Sequence, residues 1–504
     1  MSVTETDGRG WGLPLLTVMT GAFVSVLSTS VINVAIPAIQ KDFNVITDDV
    51  QWISTAYLLG LGAALPASAW LGDRFGLRRV YVWTLSLFTA ITVLCGIAPD
   101  LESLIAFRVL QAFPGAVLPV AALTILYRSV PHEKLGMAMS LFGMGLIVGP
   151  GAGPTIGGYL VQYSNWRMTF FIAVPFGLLG IVLGRFVLPE MPGRGHRPFD
   201  LPGFLCLSIG LFALLLALDK GQSWGWTSYT VLIFLNLGLD LIVLFVAIEL
   251  RRPDPLLDVR VFTCRTYAVS IALIAVIGAE LFSALFYVPL FLLEGQDLEP
   301  DAAGLVLLPQ ALVLVVMMPL AGRVYDRVGP RWPAIIGLVL IGGGTLLLTY
   351  LTAATPRPLL ILWLVVRSVG IGLAFIPVMT GGLSALAPEV ADIGSAFNIM
   401  TQRVAASLGL ALLSALATEQ QAQMTADRGS LLAPGGGHAD PSTQLGSGAL
   451  QMMQQATQQD LQAQAYRTVF LVAGVIALLA LPLTALLPTG DPNRATEPEP
   501  APAR

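Results

Sequence analysis

LGDRFGLRR, Leu71 to Arg79, is written a second time in this chain as GRVYDRVGPRW, Gly322 to Trp332. Both copies place an Asp-Arg pair, one intervening residue, a glycine and then a basic residue two further on: Asp73, Arg74, Gly76, Arg78 and Asp326, Arg327, Gly329, Arg331. Each copy lies between two long apolar runs, and those runs also match at nearly the same offset. A repeat on this scale decides the architecture before any single element does. The chain reads as two related halves.

Working outward, the flanking runs are membrane spans. Hydrophobic residues make up 55% of the chain, charged ones 12%, and the mean hydropathy is +0.76, against roughly 25% charged in soluble domains. A helix needs about 20 apolar residues to cross the hydrocarbon, and about fourteen such runs are present. Little chain remains for a soluble domain. The net charge of -4 is small and unclustered, which excludes nucleic acid as a partner. Cys95, Cys206 and Cys264 have neither disulfide nor metal spacing and read as small packing residues. Only Lys41, Lys134 and Lys220 are lysines among the basic residues, a bias that suggests a GC-rich bacterial genome.

The expected organisation is an all-α membrane protein: a first six-helix half over residues 11–190, a linker and two-helix insertion over 191–263, and a second half over 264–490. The second half includes a long polar loop, 419–466, and a disordered tail, 491–504, follows it. Span 1, from about Trp11, is too long for a signal peptide. Orientation follows from basic loops being retained in the cytoplasm. With both termini cytoplasmic, about 18 of the 27 Lys and Arg fall inside and about 6 outside, leaving Arg108, Arg367 and Arg403 within spans. Both Asp-Arg loops are then cytoplasmic and the 419–466 loop is external.

Span 5 reads GLIVGPGAGPTIGG, with Gly145, Gly149, Gly153 and Gly157 along one face, Gly158 after them, and Pro150 and Pro154 beside them. A glycine ridge lets a neighbouring helix approach closely, and two prolines remove hydrogen bonds and permit bending. The ridge is either plain packing or a flexible helix where the halves meet; the doubled proline favours the second. Intramembrane charges cost about 2.5 to 3.5 kcal/mol on insertion scales, so each needs a reason. Arg108 in span 4 and Arg367 in span 12 occupy matching places, RVLQAFPGAVLPV against RSVGIGLAFIPV. Asp240 in the insertion reads as a polar contact within that pair of helices. Aligning VLSTSVINVAIP with AELFSALFYVPL pairs Ser28 with Glu280. A buried carboxyl tends to hold its proton, so Glu280 is either a proton site facing an alternately opened cavity or a fixed partner of an arginine. The Asp-Arg loops are read as closing the cytoplasmic side through aspartates set near helix N-termini. Ser28, Asn33, Phe282, Phe286, Gln402 and Arg403 are read as lining the cavity. No nucleophile, metal or phosphate-loop constellation appears; the histidines, His132, His196 and His438, all fall in loops.

QWISTAYLL, LGDRFGLRR, RVLQ, GPGAGPTIGGYL, SNWRMTFFIAVPFG, PLLDVRVF and FYVPLFLLEG occur in that order. This ordered set, over nearly the whole chain, resembles the major facilitator superfamily and, within it, the fourteen-span drug:proton antiporters of the EmrB/QacA type. The resemblance implies an alternating-access exporter of amphiphilic or lipid-like molecules in the bacterial inner membrane. It needs no cofactor beyond a proton gradient. It also implies that Asp73 and its arginines form the cytoplasmic gate, that Arg108 takes part in coupling, and that Gly149 to Gly158 form the antiporter signature. The long external loop is similar to that of exporters that hand substrate to a periplasmic adaptor. The chain departs from the family at Ser28, where an acid is usual, and Glu280 is the expected substitute. It departs again at Leu77, Ala112, Pro114 and Ala173. A lipid or metabolite translocase without obligatory proton coupling is the alternative.

Overall fold

The computed structural model describes residues 11–193, 198–296, 298–352, 355–432 and 467–489. The first half comprises α1 (Gly12–Phe43), α2 (Thr47–Ala64), α3 (Ala67–Phe75), α4 (Leu77–Gly96), α5 (Leu101–Ser129), α6 (Leu135–Tyr163), α7 (Met168–Phe171) and α8 (Ala173–Phe186). An inserted pair follows, α9 (Leu201–Trp224) and α10 (Tyr229–Arg251). The second half is α11 (Arg265–Leu290), α12 (Pro300–Val328), α13 (Arg331–Leu347), α14 (Arg357–Ser384), α15 (Ala391–Leu432) and α16 (Arg467–Thr484). Apolar chain in hydrocarbon must satisfy its backbone internally, and a helix does so within one segment. Among the described residues no strand occurs, and twelve helices are long and apolar enough to cross a membrane, or thirteen if the bent pair α2 and α3 is one span. That pair turns by 55° at Pro66, which has no N–H to continue the ladder. The expected 419–466 loop begins as a continuation of α15, and its remainder, with the tail, lies outside the described residues.

The duplicated loop has one local cause. Gly76 ends α3 at φ 86° and Gly329 ends α12 at φ 76°, a left-handed backbone that glycine adopts without penalty. Each turn passes the chain directly into the next helix, α4 or α13, so the Asp-Arg pair sits on the last turn of the preceding one.

The halves meet where α6 crosses α12 and α14, and where α15 lies on α5 and α3. The crossing of α6 and α12 is made backbone to backbone: a β-carbon on Gly322 would lie 2.4 Å from the Gly136 carbonyl oxygen. The inserted helix α9 touches both halves, packing on α2 and on α15, while α10 packs on α9. Its base is closed by polar contacts. The buried Asp200 carboxylate accepts from the Gly203 amide (3.0 Å) and from Arg252 Nη1 (3.0 Å), and buried Glu249 accepts from the Leu256 amide (3.2 Å) in the segment leading to α11.

Asp240 departs from expectation. The side of α10 that meets α9 carries Val231, Gly238 and Phe245, all buried, and Asp240, two residues past Gly238, points away and is exposed. Helical geometry turns neighbouring positions by about 100° each, so a residue two on from the contact row faces outward.

Candidate functional site

Asp100 begins the construction by capping α5: its carboxylate accepts from the Ser103 amide at 2.8 Å, and that bond holds the carboxyl below the usual carboxylate range. Two turns into the helix, Arg108 is wholly buried. Its Nη1 donates to Ser28 Oγ (3.1 Å) and Gln111 Oε1 (2.8 Å), and its Nε to the Ile53 carbonyl (3.4 Å). Gln111 in turn donates to Thr92 Oγ1 at 2.7 Å. The guanidinium lies 4.0 Å over the ring of Tyr57. Every partner is neutral.

The second half repeats the arrangement with Glu280 in the place of Ser28 and Gly370 in the place of Gln111. Arg367 on α14 is 2% exposed and donates to Glu280 Oε2 at 3.1 Å, to the Glu280 carbonyl, and through Nε to Thr345 Oγ1 at 3.1 Å. Thr345 also donates to Glu280 Oε2 (3.4 Å), and Glu280 Oε1 is buried without a partner. Ser28 and Glu280 thus stand before matching arginines, and Thr92 and Thr345 behind them. The structure does not bring Glu280 and Arg108 together; each belongs to its own half.

The two Asp-Arg loops also differ. Asp326 accepts from the first amides of α6, Gly136 N at 2.9 Å and Met137 N at 3.2 Å, which fastens the second half to the helix N-terminus of the first. Asp73 is buried close to Asp392 at the start of α15, and burial together with that neighbouring carboxylate pushes the Asp392 carboxyl up to about 7. Asp392 also pairs with Arg128 at 3.4 Å. Arg78 reaches Glu190 (3.5 Å) and the Arg185 carbonyl, holding the end of α8. Arg74 and Arg331 are half-buried and Arg327 is exposed.

The glycine ridge meets a different neighbour from the one expected. α6 runs unbroken through Pro150 and Pro154, and Gly145, Gly153, Gly157 and Gly158 lie against Met19, Ser30, Val31 and Val34 of α1, inside the first half. The meeting of the halves falls to the other side of α6, where Gly136 faces Gly322 and Gly143 faces Ile376. The side chains of Pro150 and Pro154 and the surroundings of Gly149 lie outside the described residues.

Of the expected cavity residues, Ser28 is buried and serves Arg108. Asn33 is exposed and accepts from Ser54 Oγ at 3.0 Å. Phe282 and Phe286 are exposed on the side of α11 away from Glu280. Gln402 and Arg403 are half-buried on α15. Sequence reasoning missed Thr92, Gln111, Thr345, Tyr57, Arg128 and Asp392. The loop repeat pairs Thr92 with Thr345 in the helices that follow it, and that signal was available.

The sequence profile of the Major Facilitator Superfamily matches residues 18–410. This chain belongs to the Major Facilitator Superfamily. Its superfamily relatives include the Multidrug resistance protein B homolog of Mycobacterium tuberculosis (strain ATCC 25618 / H37Rv), 32% identical over 479 residues, 92% of this chain and 87% of that protein. The Tetracenomycin C resistance and export protein of Streptomyces glaucescens is 32% identical over 426 residues, 84% and 78% of the two chains. Among solved superfamily structures, the proton:xylose symporter XylE superposes with a TM-score of 0.61 at 13% identity, covering 95% of this chain and 96% of that one. That last likeness is one of fold. Superfamily membership and the many apolar helices make this a multi-pass membrane transporter.

Proposed function

We propose that this chain is a proton-driven exporter of amphiphilic or drug-like small molecules, working by alternating access in a bacterial inner membrane. Counting α6, a 29-residue helix, with the thirteen spans above gives fourteen passes, an even number that leaves both termini on one side, which the distribution of Lys and Arg makes the cytoplasm in this reading. The observation that carries the reading is the clamp between the halves, Asp326 against the α6 amides beside the Gly136 and Gly322 crossing. It closes the end of the bundle that the distribution of Lys and Arg assigns to the cytoplasm. Its bonds join one rigid half to the other, so tilting the halves breaks them together. In transporters built of repeated halves the site lies at the repeat interface. The names of the relatives supply the direction, export, and the substrate class.

Glu280 is the proton site in this proposal. Protonating it removes the counter-ion of Arg367, which then loses its strongest bond, so proton binding and helix arrangement are coupled through one pair. Substrate-driven proton movement in proteoliposomes tests this: Glu280→Gln is expected to abolish the coupled proton flux, and unchanged coupling in that variant removes Glu280 from the role. The Arg108 site, neutral throughout apart from the arginine, favours a second reading, a lipid or metabolite translocase without obligatory proton coupling. Transport that persists after the pH gradient is collapsed would select it. A periplasmic adaptor docked on the 419–466 loop belongs to the first reading, and co-purification of the two from membranes tests it.

A further inference from the structure

We propose that α10 is a docking helix for a second copy of this chain, and that Asp240 and Asn236 on its outer face hold the two copies together inside the bilayer. This goes beyond the export reading, and no transport step depends on it.

The first observation is an acid in mid-span with nothing to answer it. Of the twelve spans, α10 is the most apolar and the least covered by the rest of the chain, and its packing is on α9 and on the short segment before α11. Asp240 is the twelfth of the 23 residues from Tyr229 to Arg251, which puts it roughly 17 Å along the helix from either end. It is exposed, on the side opposite the buried row of Val231, Gly238 and Phe245. Among the described residues its carboxyl group has no ion pair and no hydrogen bond. The other charges deep within spans are sheltered: Arg108, Glu280 and Arg367 are buried and Arg403 is half-buried. An aspartate side chain is too short to carry its charge from mid-span to water, and acyl chains offer neither donor nor acceptor. The partner it lacks is therefore another protein segment within the bilayer.

The second observation identifies that segment. Asn236 lies one turn before Asp240 on the same exposed face. Its Nδ2 donates to the Leu232 carbonyl at 2.8 Å, which leaves its second N–H and its oxygen without a partner. The face thus carries a carboxyl group and, about 6 Å along the axis, a group that both donates and accepts. Beside them Ile233, Leu237 and Leu244 are exposed and apolar. Copies of one chain enter the membrane in one orientation, so a two-fold axis along the membrane normal sets α10 against α10 in parallel and at equal depth. Such a contact is isologous: Asp240 meets Asn236 of the partner subunit, and the axis repeats the bond. Apolar contact gives helices little preference for each other over lipid, whereas polar side chains bond across them. A foreign helix would need a matching pair at this depth; a second copy has one by construction. Because α9 stands between α10 and α2, docking here leaves the meeting of the halves uncovered.

The test uses the full-length protein, labelled with a donor or an acceptor dye and reconstituted in liposomes over a range of protein-to-lipid ratios. Energy transfer between copies is expected to rise with protein density. Asp240→Leu and Asn236→Leu each remove both symmetric bonds and should raise the density needed for half-association about ten- to hundredfold, the worth of two hydrogen bonds between helices in lipid. Asp240→Asn can still bond and should stay within about threefold of the unaltered protein. A positional readout leaves the polar pair intact. With Cys95, Cys206 and Cys264 replaced by alanine, Ile233→Cys or Leu244→Cys should form a disulfide between two copies, and Val316→Cys, on the exposed side of α12, should not. Copies that stay monomeric at every ratio, association unchanged in both leucine variants, or cross-links from Val316→Cys equal to those from α10 overturn the assignment. So does a cross-link from α10 that, in native membranes, captures only a different polypeptide.

Discussion

Arg108 and Arg367 are the same residue written twice, on equivalent helices, and yet they are stabilised by different chemistry. Arg367 is neutralised by Glu280 and completed by Thr345. Arg108 is solvated by a hydroxyl, a side-chain amide, a backbone carbonyl and an aromatic face, none of them charged. Duplication preserves the cation and the threonine behind it, because both are set by helix geometry, while the positions facing the cation have changed, Ser28 to Glu280 and Gln111 to Gly370. One half thereby holds its arginine against an acid and the other among uncharged groups. The lesson is that a duplicated bundle divides labour at the side chains that face its arginine.

The largest expected effect comes from breaking the charged copy. Glu280→Leu leaves Arg367 buried and unpaired and should lower stability by about 3 to 5 kcal/mol, while Ser28→Leu removes one neutral acceptor from Arg108 and should cost about 1 kcal/mol. Denaturant unfolding of the two variants in the same detergent measures the difference; equal losses would mean that the halves do not differ as described. Writing the acid into the other copy sharpens the contrast. Ser28→Glu is expected to give Arg108 a counter-ion and to raise the number of protons exchanged per substrate in proteoliposomes, and an unaltered ratio would show that a carboxylate in that place is not enough.

The two loops allow a finer comparison. Asp326→Ala removes the acceptor for two α6 amides and should weaken the clamp by about 1 kcal/mol, the scale of a lost helix cap. Spin-label distances between α6 and α12 would lengthen in a severalfold larger fraction of molecules. Asp73→Asn keeps the size and shape of the side chain and removes one of two neighbouring carboxylates beside Asp392, so the effect should stay within about 0.5 kcal/mol. A larger opening in Asp73→Asn than in Asp326→Ala would reverse the ranking.

Much of this could be read from the chain. The Asp-Arg repeat, the matched arginines and the pairing of Ser28 with Glu280 are all one-dimensional patterns, because a repeated fold repeats its spacing. Glu280 as an arginine's partner stood among the readings, although which arginine was open until Arg367 came within 3.1 Å. What could not be read was the identity of neighbours. Four-residue glycine spacing on α6 says that something approaches closely, but periodicity is silent on whether that is α1 of the same half or α12 of the other. The same holds for Asp240, whose direction depends on which row of α10 meets α9, and for Asp392, which reaches Asp73 only through the meeting of the halves.

The position of α9 has a mechanical consequence. A helix in contact with α2 on one side and α15 on the other spans the line along which the two bundles would slide. Its base is stitched by Asp200, Arg252 and Glu249 to the segment leading into α11, and its far end is tied to α2, where Thr55 donates to Asp219 at 3.3 Å. Under the alternating-access proposal the insertion would act as a brake shoe: any excursion of one bundle would have to slide or break the contact of α9 with α2, including the bond between Thr55 and Asp219.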